Sequence, residues 1–208
     1  MFHRIALGIG LAALVLAPLA PSAAWGQKSQ TTPPPATSET PAGPATPTPA
    51  TPPSETFGEE ATLTAKPIVY VKGNGTWDNA FETITGAFKK LKAYIDKEGL
   101  KSDGEPLTIF TSTDDAGFQF EAAIPITEPP TNPPRGGDIS IGTSPEGRAL
   151  KFVHRGSYDS LDNTYEAITN YLDEKRLEAK DMFIEQYVTD PLSTNEDDLV
   201  INVFVLIK

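Results

Sequence analysis

The sequence predicts an α+β domain of two β-α-β-β modules related by a pseudo-twofold, sharing an antiparallel-rich sheet with two helices on one face. Three observations carry this prediction. Gly75-Thr76-Trp77-Asp78 and Gly156-Ser157-Tyr158-Asp159 spell the same order of glycine, hydroxyl residue, aromatic and aspartate. Apolar residues at helical spacing follow each of these runs. Two strand-like segments then follow each helix, and sheets of hairpin-linked strands bury one face under such helices.

In the first module a strand running into Val71-Lys72-Gly73-Asn74-Gly75 opens the unit, and the glycine serves the turn into the helix. Trp77, Phe81, Ile84, Phe88, Leu91 and Ile95 then recur three and four apart. Strands are expected over 107–113 and 118–127, joined by the turn sequence Asp114-Asp115-Ala116-Gly117. In the second module Val153-His154-Arg155-Gly156 closes the opening strand, and Tyr158, Leu161, Tyr165, Ile168 and Leu172 mark the helix. Strands follow over 183–189 and 199–207, around the acidic loop 191–198. The helices end alike, in Tyr94-Ile95-Asp96 and Tyr171-Leu172-Asp173. The modules are offset by 81 residues at Gly75/Gly156 and by 77 at Tyr94/Tyr171. That difference is about one helical turn, which keeps the apolar face in phase.

Alternation along the strands separates two sheet faces. Phe118, Phe120, Ala122, Ile124 and Ile126 share one side, as do Leu199, Ile201, Val203, Val205 and Ile207. These aliphatic-rich sides are expected beneath the helices, together with Leu107, Ile109, Ile184 and Gln186. Matching Tyr70 to Phe152 and Lys72 to His154 then leaves a mixed face bearing Tyr70, Phe110, Glu121, Phe152, Phe183, Glu185, Tyr187 and Phe204. Aromatics with one or two carboxylates suit a flat or amphiphilic cation, through cation–π contact and charge neutralisation. Glu185 stands in the apolar run Met182-Phe183-Ile184, where a carboxylate is partly desolvated and its protonated form favoured. Water on an open face, or a nearby lysine or arginine, would satisfy it equally well. Glu121 reads either as a second ligand carboxylate or as a surface group on an edge strand.

The front of the chain reads as targeting sequence. His3 and Arg4 precede an apolar run from Ile5 to Leu19, and Ser22-Ala23-Ala24 and Ala24-Trp25-Gly26 both offer small-x-small cleavage patterns. The run is shorter than the ~20 residues that span a bilayer. Residues 1–26 are therefore expected to be a signal peptide, with a retained anchor as the alternative. After cleavage no stable membrane span is expected, and the destination is periplasmic or secreted. Residues 27–56 are rich in Pro, Thr, Ala and Ser, too apolar-poor to offset their ordering entropy, and read as a disordered tether to a domain over 57–208.

Composition excludes several functions. With no cysteine among 208 residues there are no disulfides, thiolate nucleophiles or zinc–thiolate sites. His3 and His154 are the two histidines, so a multi-histidine metal site is excluded too. No phosphate loop or nucleophile–histidine pair is evident, and no cofactor is expected. His154 and Arg155 read as exposed strand-end residues or as an anion contact at a helix start. Only Arg4, Lys28, Glu39 and Glu55 carry charge before residue 57, so the net −11 falls on the domain. Such acidity opposes nucleic acid and draws cations, and it also keeps an exported protein soluble.

Phe152-Val153-His154-Arg155-Gly156-Ser157-Tyr158-Asp159 and Phe183-Ile184-Glu185-Gln186-Tyr187-Val188-Thr189-Asp190-Pro191 resemble the GyrI-like superfamily, the effector-binding domain of AraC- and MerR-type regulators. The resemblance covers residues 61–208 and implies a pair of β-α-β-β modules. It also implies a lipophilic, often cationic, small-molecule ligand in a central groove, contacted by the strand glutamate, here Glu185. Some members are hydrolases of small electrophiles. Carried over, that makes Glu185 a base, with Tyr187 and either Trp77 or Tyr158 shaping the pocket, although spacing reads both of the latter as helix-start core. No helix-turn-helix segment precedes the domain. Three readings result: an exported small-molecule-binding domain, a hydrolase using the same glutamate, or a module binding an envelope partner.

Overall fold

The computed structural model describes residues 57–134 and 136–208. The expected signal peptide and tether lie outside the described residues. One eight-stranded antiparallel sheet is formed by β1 (Glu59–Leu63), β2 (Pro67–Gly75), β3 (Leu107–Thr113), β4 (Phe118–Pro125), β5 (Ile139–Thr143), β6 (Gly147–Arg155), β7 (Ala179–Tyr187) and β8 (Val200–Ile207). Helices α1 (Ala80–Glu98) and α2 (Leu161–Lys175) follow β2 and β6, each through a one-turn 3₁₀ helix starting at Trp77 or Tyr158. No helix among the described residues is long and apolar enough to cross a membrane.

The strand order is β1-β6-β8-β7-β3-β4-β2-β5. It reads the same from either end when β1 to β4 are exchanged for β5 to β8. Strands β1 and β5 were not expected from the sequence. Each has five residues, and β1 carries Glu59, Glu60 and Thr62 where a stronger strand would carry apolar groups. Both sit at sheet edges, where short and charged strands resist further pairing. Each also crosses to the other half, β1 pairing with β6 and β5 with β2.

The helices form because their apolar residues fall on one stripe: Ile84, Phe88, Leu91 and Ile95 in α1, Leu161, Ile168 and Leu172 in α2. Gly99 ends α1 in the left-handed conformation at φ 66°, and Leu100 N–H returns to the Ile95 carbonyl at 3.0 Å. These stripes join one core with Val69, Val71, Phe110, Phe120, Ala122, Phe152, Tyr187, Ile201 and Val203. A second cluster, of Ile68, Leu107, Ile109, Ala123, Ala149, Ile184, Phe204 and Leu206, occupies the opposite face of the sheet.

The two clusters correct the sequence reading of the faces. Directly opposed residues of an antiparallel pair share a face. Glu185 opposes Val203, Tyr187 opposes Ile201 and Phe110 opposes Phe120, so all three lie on the helix side with those aliphatic residues. Leu107, Ile109 and Ile184 lie on the helix-free side. On the opening strands the error was one residue. At the 81-residue offset that matches Gly75 to Gly156, Phe152 corresponds to Val71 and not to Tyr70. A one-residue slip exchanges the faces of a strand. Phe152 is thus buried under the helices, while Tyr70, Glu121 and Phe204 stay on the other side.

The β3–β4 turn approaches the end of β2 closely. A Cβ on Gly117 would lie 2.1 Å from the Gly75 carbonyl oxygen, so no other residue fits there without backbone movement. This approach carries the Asp114 carbonyl to within 2.8 Å of Trp77 Nε1. Gly117→Ala should therefore cost about 1–3 kcal/mol, the scale of overpacking a closed site, read as a lower urea midpoint at unchanged slope. An unchanged midpoint would show that the turn yields freely.

Candidate functional site

Register places one row of side chains across the helix face: Val71, Ala122, Thr108, Glu185, Val203 and Phe152. Its centre is the pair Thr108–Glu185 on β3 and β7. Helix α1 packs over β2 and β4, and α2 over β6, so this central pair lies between the two footprints. The polar residues of the row thus stand where the helices cover the sheet least directly.

Glu185 is nevertheless fully enclosed, at 0 % exposure. Three tyrosine hydroxyls donate to its carboxylate. Tyr187 reaches Oε2 at 2.7 Å, Tyr165 reaches Oε1 at 2.8 Å, and Tyr158 reaches Oε2 at 3.1 Å. They come from β7, from α2 and from the 3₁₀ turn before α2. Thr108 Oγ1 lies 3.5 Å from the Tyr187 hydroxyl and extends the network to β3. No lysine, arginine or histidine among the described residues pairs with the carboxylate.

Two effects oppose each other at this carboxyl. Burial disfavours its charged form, and the three hydroxyls, from Tyr187, Tyr165 and Tyr158, favour it. Burial wins, lifting the pKa to about 7 from an ordinary 4.5. Burial and the adjacent carboxylate push the three tyrosines well above their usual range, so they remain donors at neutral pH. A carboxylate offers about four acceptor positions, and three are filled by neutral donors. Among the described residues, no positive charge meets the carboxylate.

Aromatic rings enclose the cluster. Phe88 of α1 meets the Tyr187 ring edge-on at 5.3 Å, and Phe81 stacks on Tyr158 at 5.2 Å, joining α1 to the turn before α2. Phe183 packs edge-on against Tyr165 at 5.5 Å. Trp77 stacks with Phe110 at 6.5 Å and lies 4.9 Å from Phe118, extending the aromatic wall toward β4.

Of the sequence-selected residues, Glu185 and Tyr187 meet directly, and Phe183 and Phe110 border them. Phe152 lies in the same row but packs toward Phe57 and Tyr171, at 4.9 and 5.6 Å. Tyr70, Glu121 and Phe204 are separated from Glu185 by the sheet itself. Glu121 instead pairs with Lys72 at 3.2 Å, and Lys72 lies 6.0 Å from the Tyr70 ring centre. Tyr158 turns inward to the carboxylate, whereas Trp77 packs in the aromatic wall. Tyr165 was not selected. A signal for it existed, since Tyr158 and Tyr165 are seven residues apart, about two turns along one helical face.

The family model of the GyrI-like small molecule binding domain matches residues 59–208. No curated protein matches. The EcmrR C-terminal domain shares 14% identity at a TM-score of 0.58, covering 73% of this chain and 96% of its own. A hydrolase from Listeria innocua shares 15% at 0.54, covering 73% and 92%. SAV2435 bound to tetraphenylphosphonium shares 13% at 0.51, covering 74% and 94%. In the cryo-EM structure of an EcmrR–DNA complex the match spans 57% of the EcmrR chain, at 13% identity and a TM-score of 0.62. These likenesses show a shared fold, and the family match spans the whole eight-stranded unit. The chain belongs to the GyrI-like small-molecule-binding domain family.

Proposed function

We propose that this protein is an exported receptor or carrier for lipophilic cations, with Glu185 as the charge-neutralising group. The observation that carries the reading is a carboxylate ringed by three tyrosines and further aromatics, with no cationic side chain among the described residues paired to it. A delocalised organic cation supplies what the site lacks, and it needs no hydrogen bond of its own. Tyrosine faces attract it through cation–π contact, and burial strengthens its attraction to the carboxylate. Tetraphenylphosphonium, bound by the structural neighbour SAV2435, is a cation of this chemistry.

The symmetric strand order and the matched runs at Gly75 and Gly156 support reading the domain as a duplicated unit. Entry requires movement, because Glu185 is enclosed and the Phe81–Tyr158 stack bridges the two helical segments. The signal-like N-terminus and the proline-rich tether support a periplasmic or secreted location. The net charge of −11 supports cationic ligands and opposes nucleic acid. A hydrolase reading draws on one observation: a carboxyl titrating at about 7 has the pKa of a general base.

The test is calorimetric titration with tetraphenylphosphonium and with a neutral aromatic of similar size, followed by recovery of the ligand. The cation should bind at least about tenfold more tightly, a difference of ~1.4 kcal/mol, and be recovered intact. Equal affinities would refute the cation reading. Breakdown of an electrophilic analogue would make the protein an enzyme.

A further inference from the structure

His154 was expected to be an exposed strand-end residue. It is buried on the helix face, at 4 % exposure. Its Nε2 lies 3.1 Å from the Ser157 carbonyl oxygen and its Nδ1 lies 2.8 Å from Thr164 Oγ1. A carbonyl only accepts, so Nε2 carries a proton, and in the neutral ring Nδ1 then accepts from the Thr164 hydroxyl. One imidazole thus bridges the turn after β6 to the first turns of α2.

The two partners adjoin the site. Ser157 precedes Tyr158, and Thr164 precedes Tyr165. Those tyrosines supply the two carboxylate donors that do not come from the glutamate's own strand. The Ser157 carbonyl also receives the Ser160 backbone N–H at 3.0 Å and its hydroxyl at 2.7 Å, so three donors converge on this atom at the start of the 3₁₀ turn. Gly156, at φ 120°, lets the chain double back into the turn, where its N–H meets the Leu199 carbonyl at 3.0 Å.

On the α1 side the matching residues Thr76 and Thr83 are joined differently, both hydroxyls donating to the exposed Asn79 Oδ1, at 3.0 and 3.4 Å. His154 stands two residues before Gly156, and the residue two before Gly75 is Gly73. The Phe120 ring fills that space, 2.7 Å from where a Cβ on Gly73 would sit. The aromatic two residues after Gly75 is Trp77, which offers the carboxylate no hydroxyl. Among the described residues the buried imidazole bridge thus stands on the side whose tyrosines donate to Glu185, and the α1 side uses an exposed amide instead.

We propose that His154 is a positioning residue, a clasp between the β6–α2 turn and α2 that sets the placement of the Tyr158 and Tyr165 hydroxyls on Glu185. It touches no ligand and acts through those two side chains. Ligand affinity would follow from it only if the cation reading also holds. The placement of the hydroxyls does not depend on any ligand.

The experiment reads the carboxyl itself, in the ligand-free full chain. The side-chain carboxyl carbon of Glu185 is followed by ¹³C NMR against pH in protein labelled at glutamate, with Glu185→Gln identifying the signal. The groups facing this carboxyl are Tyr187 from β7, Tyr165 from α2, Tyr158 from the turn, and Thr108 behind Tyr187 from β3. In His154→Leu the midpoint should rise by roughly one unit, because loosened hydroxyls favour the charged form less. Thr164→Val, which keeps the side-chain shape, should raise it by a smaller amount. His154→Gln, able to donate to the carbonyl and accept from the hydroxyl, should bring it back toward wild type. Leu172→Ala removes packing beneath α2 away from the hydroxyls, and it should lower the melting temperature while leaving the midpoint in place. An unmoved midpoint in His154→Leu, or an equal move in Leu172→Ala, would overturn the proposal. Should His154→Leu fail to fold, Thr164→Val decides alone, and an unmoved midpoint there is equally fatal. Failure of tetraphenylphosphonium to bind would leave this result standing and remove only the cation reading.

Discussion

Between pH 4.5 and 7 the protein should lose about 3 kcal/mol of stability that Glu185→Gln does not lose. The two ends of this window are the ordinary carboxyl pKa of 4.5 and the value of about 7 reached in the folded state. Below 4.5 the group is protonated whether the chain is folded or not, and its contribution is complete. As pH rises, the unfolded chain releases the proton while the folded one retains it. Folding then carries an uptake of a proton, so stability falls with pH. Above about 7 both forms are ionised, and the loss is complete because the charge now sits in an enclosed site. A shift of this size corresponds to about 3 kcal/mol at 1.36 kcal/mol per unit. Urea denaturation of wild type and Glu185→Gln across pH 4 to 8 isolates the effect, since titrations common to both cancel in the difference. The gap between the two proteins should open with rising pH and level off near neutrality. A gap that stays constant across the range would mean that the three tyrosine hydroxyls offset burial fully, and that the carboxyl titrates as an ordinary one.

How much of this was legible in the sequence depends on the kind of signal. The helices and six of the eight strands follow from local periodicity, which three- and four-residue spacing or alternation records directly. The two remaining strands are five-residue edges, and an edge strand needs no apolar alternation to pair. Glu185 stood out because a carboxylate in an apolar run is costly in any fold. Its face did not. Alternation says which residues lie together on one strand, but not which side meets the helices. That was settled by cross-strand register, in which Glu185 lies opposite Val203 and Tyr187 opposite Ile201. Placing uniformly aliphatic residues under the helices holds for β4 and β8, and it fails for β3 and β7, whose Leu107, Ile109 and Ile184 face away because the core has a polar centre. The same error separated Tyr70, Glu121 and Phe204 from the group they had been placed with. Tyr165 was missed because its helical position looked like packing. A tyrosine buried in a helix interface can serve both purposes, its ring filling the core and its hydroxyl reaching a partner.

Glu185→Gln should weaken binding of tetraphenylphosphonium by about 2–5 kcal/mol, the range for removing one member of a desolvated charge pair. The amide keeps the shape of the carboxyl and still accepts the tyrosine hydroxyls, so what is lost is charge. A neutral aromatic of similar size should lose little, because it meets the same rings and never used the charge. The wild type should show a second signature. Its carboxyl holds a proton below about pH 7, and a cation must displace it. Affinity should therefore fall toward tenfold per unit as pH drops below that value, and the glutamine variant should show no such slope. The two measurements constrain each other. A cation that bound through aromatic contact alone would lose nothing in the variant and would ignore pH. A carboxylate already satisfied by its tyrosines would make the variant tolerant while still responding to pH in the free protein. Only a ligand that supplies the missing positive charge joins a large loss in the variant to a pH slope that vanishes with it. If tetraphenylphosphonium binds with equal affinity to both proteins, Glu185 is a structural group of the core, and the cation site must be sought elsewhere in the molecule.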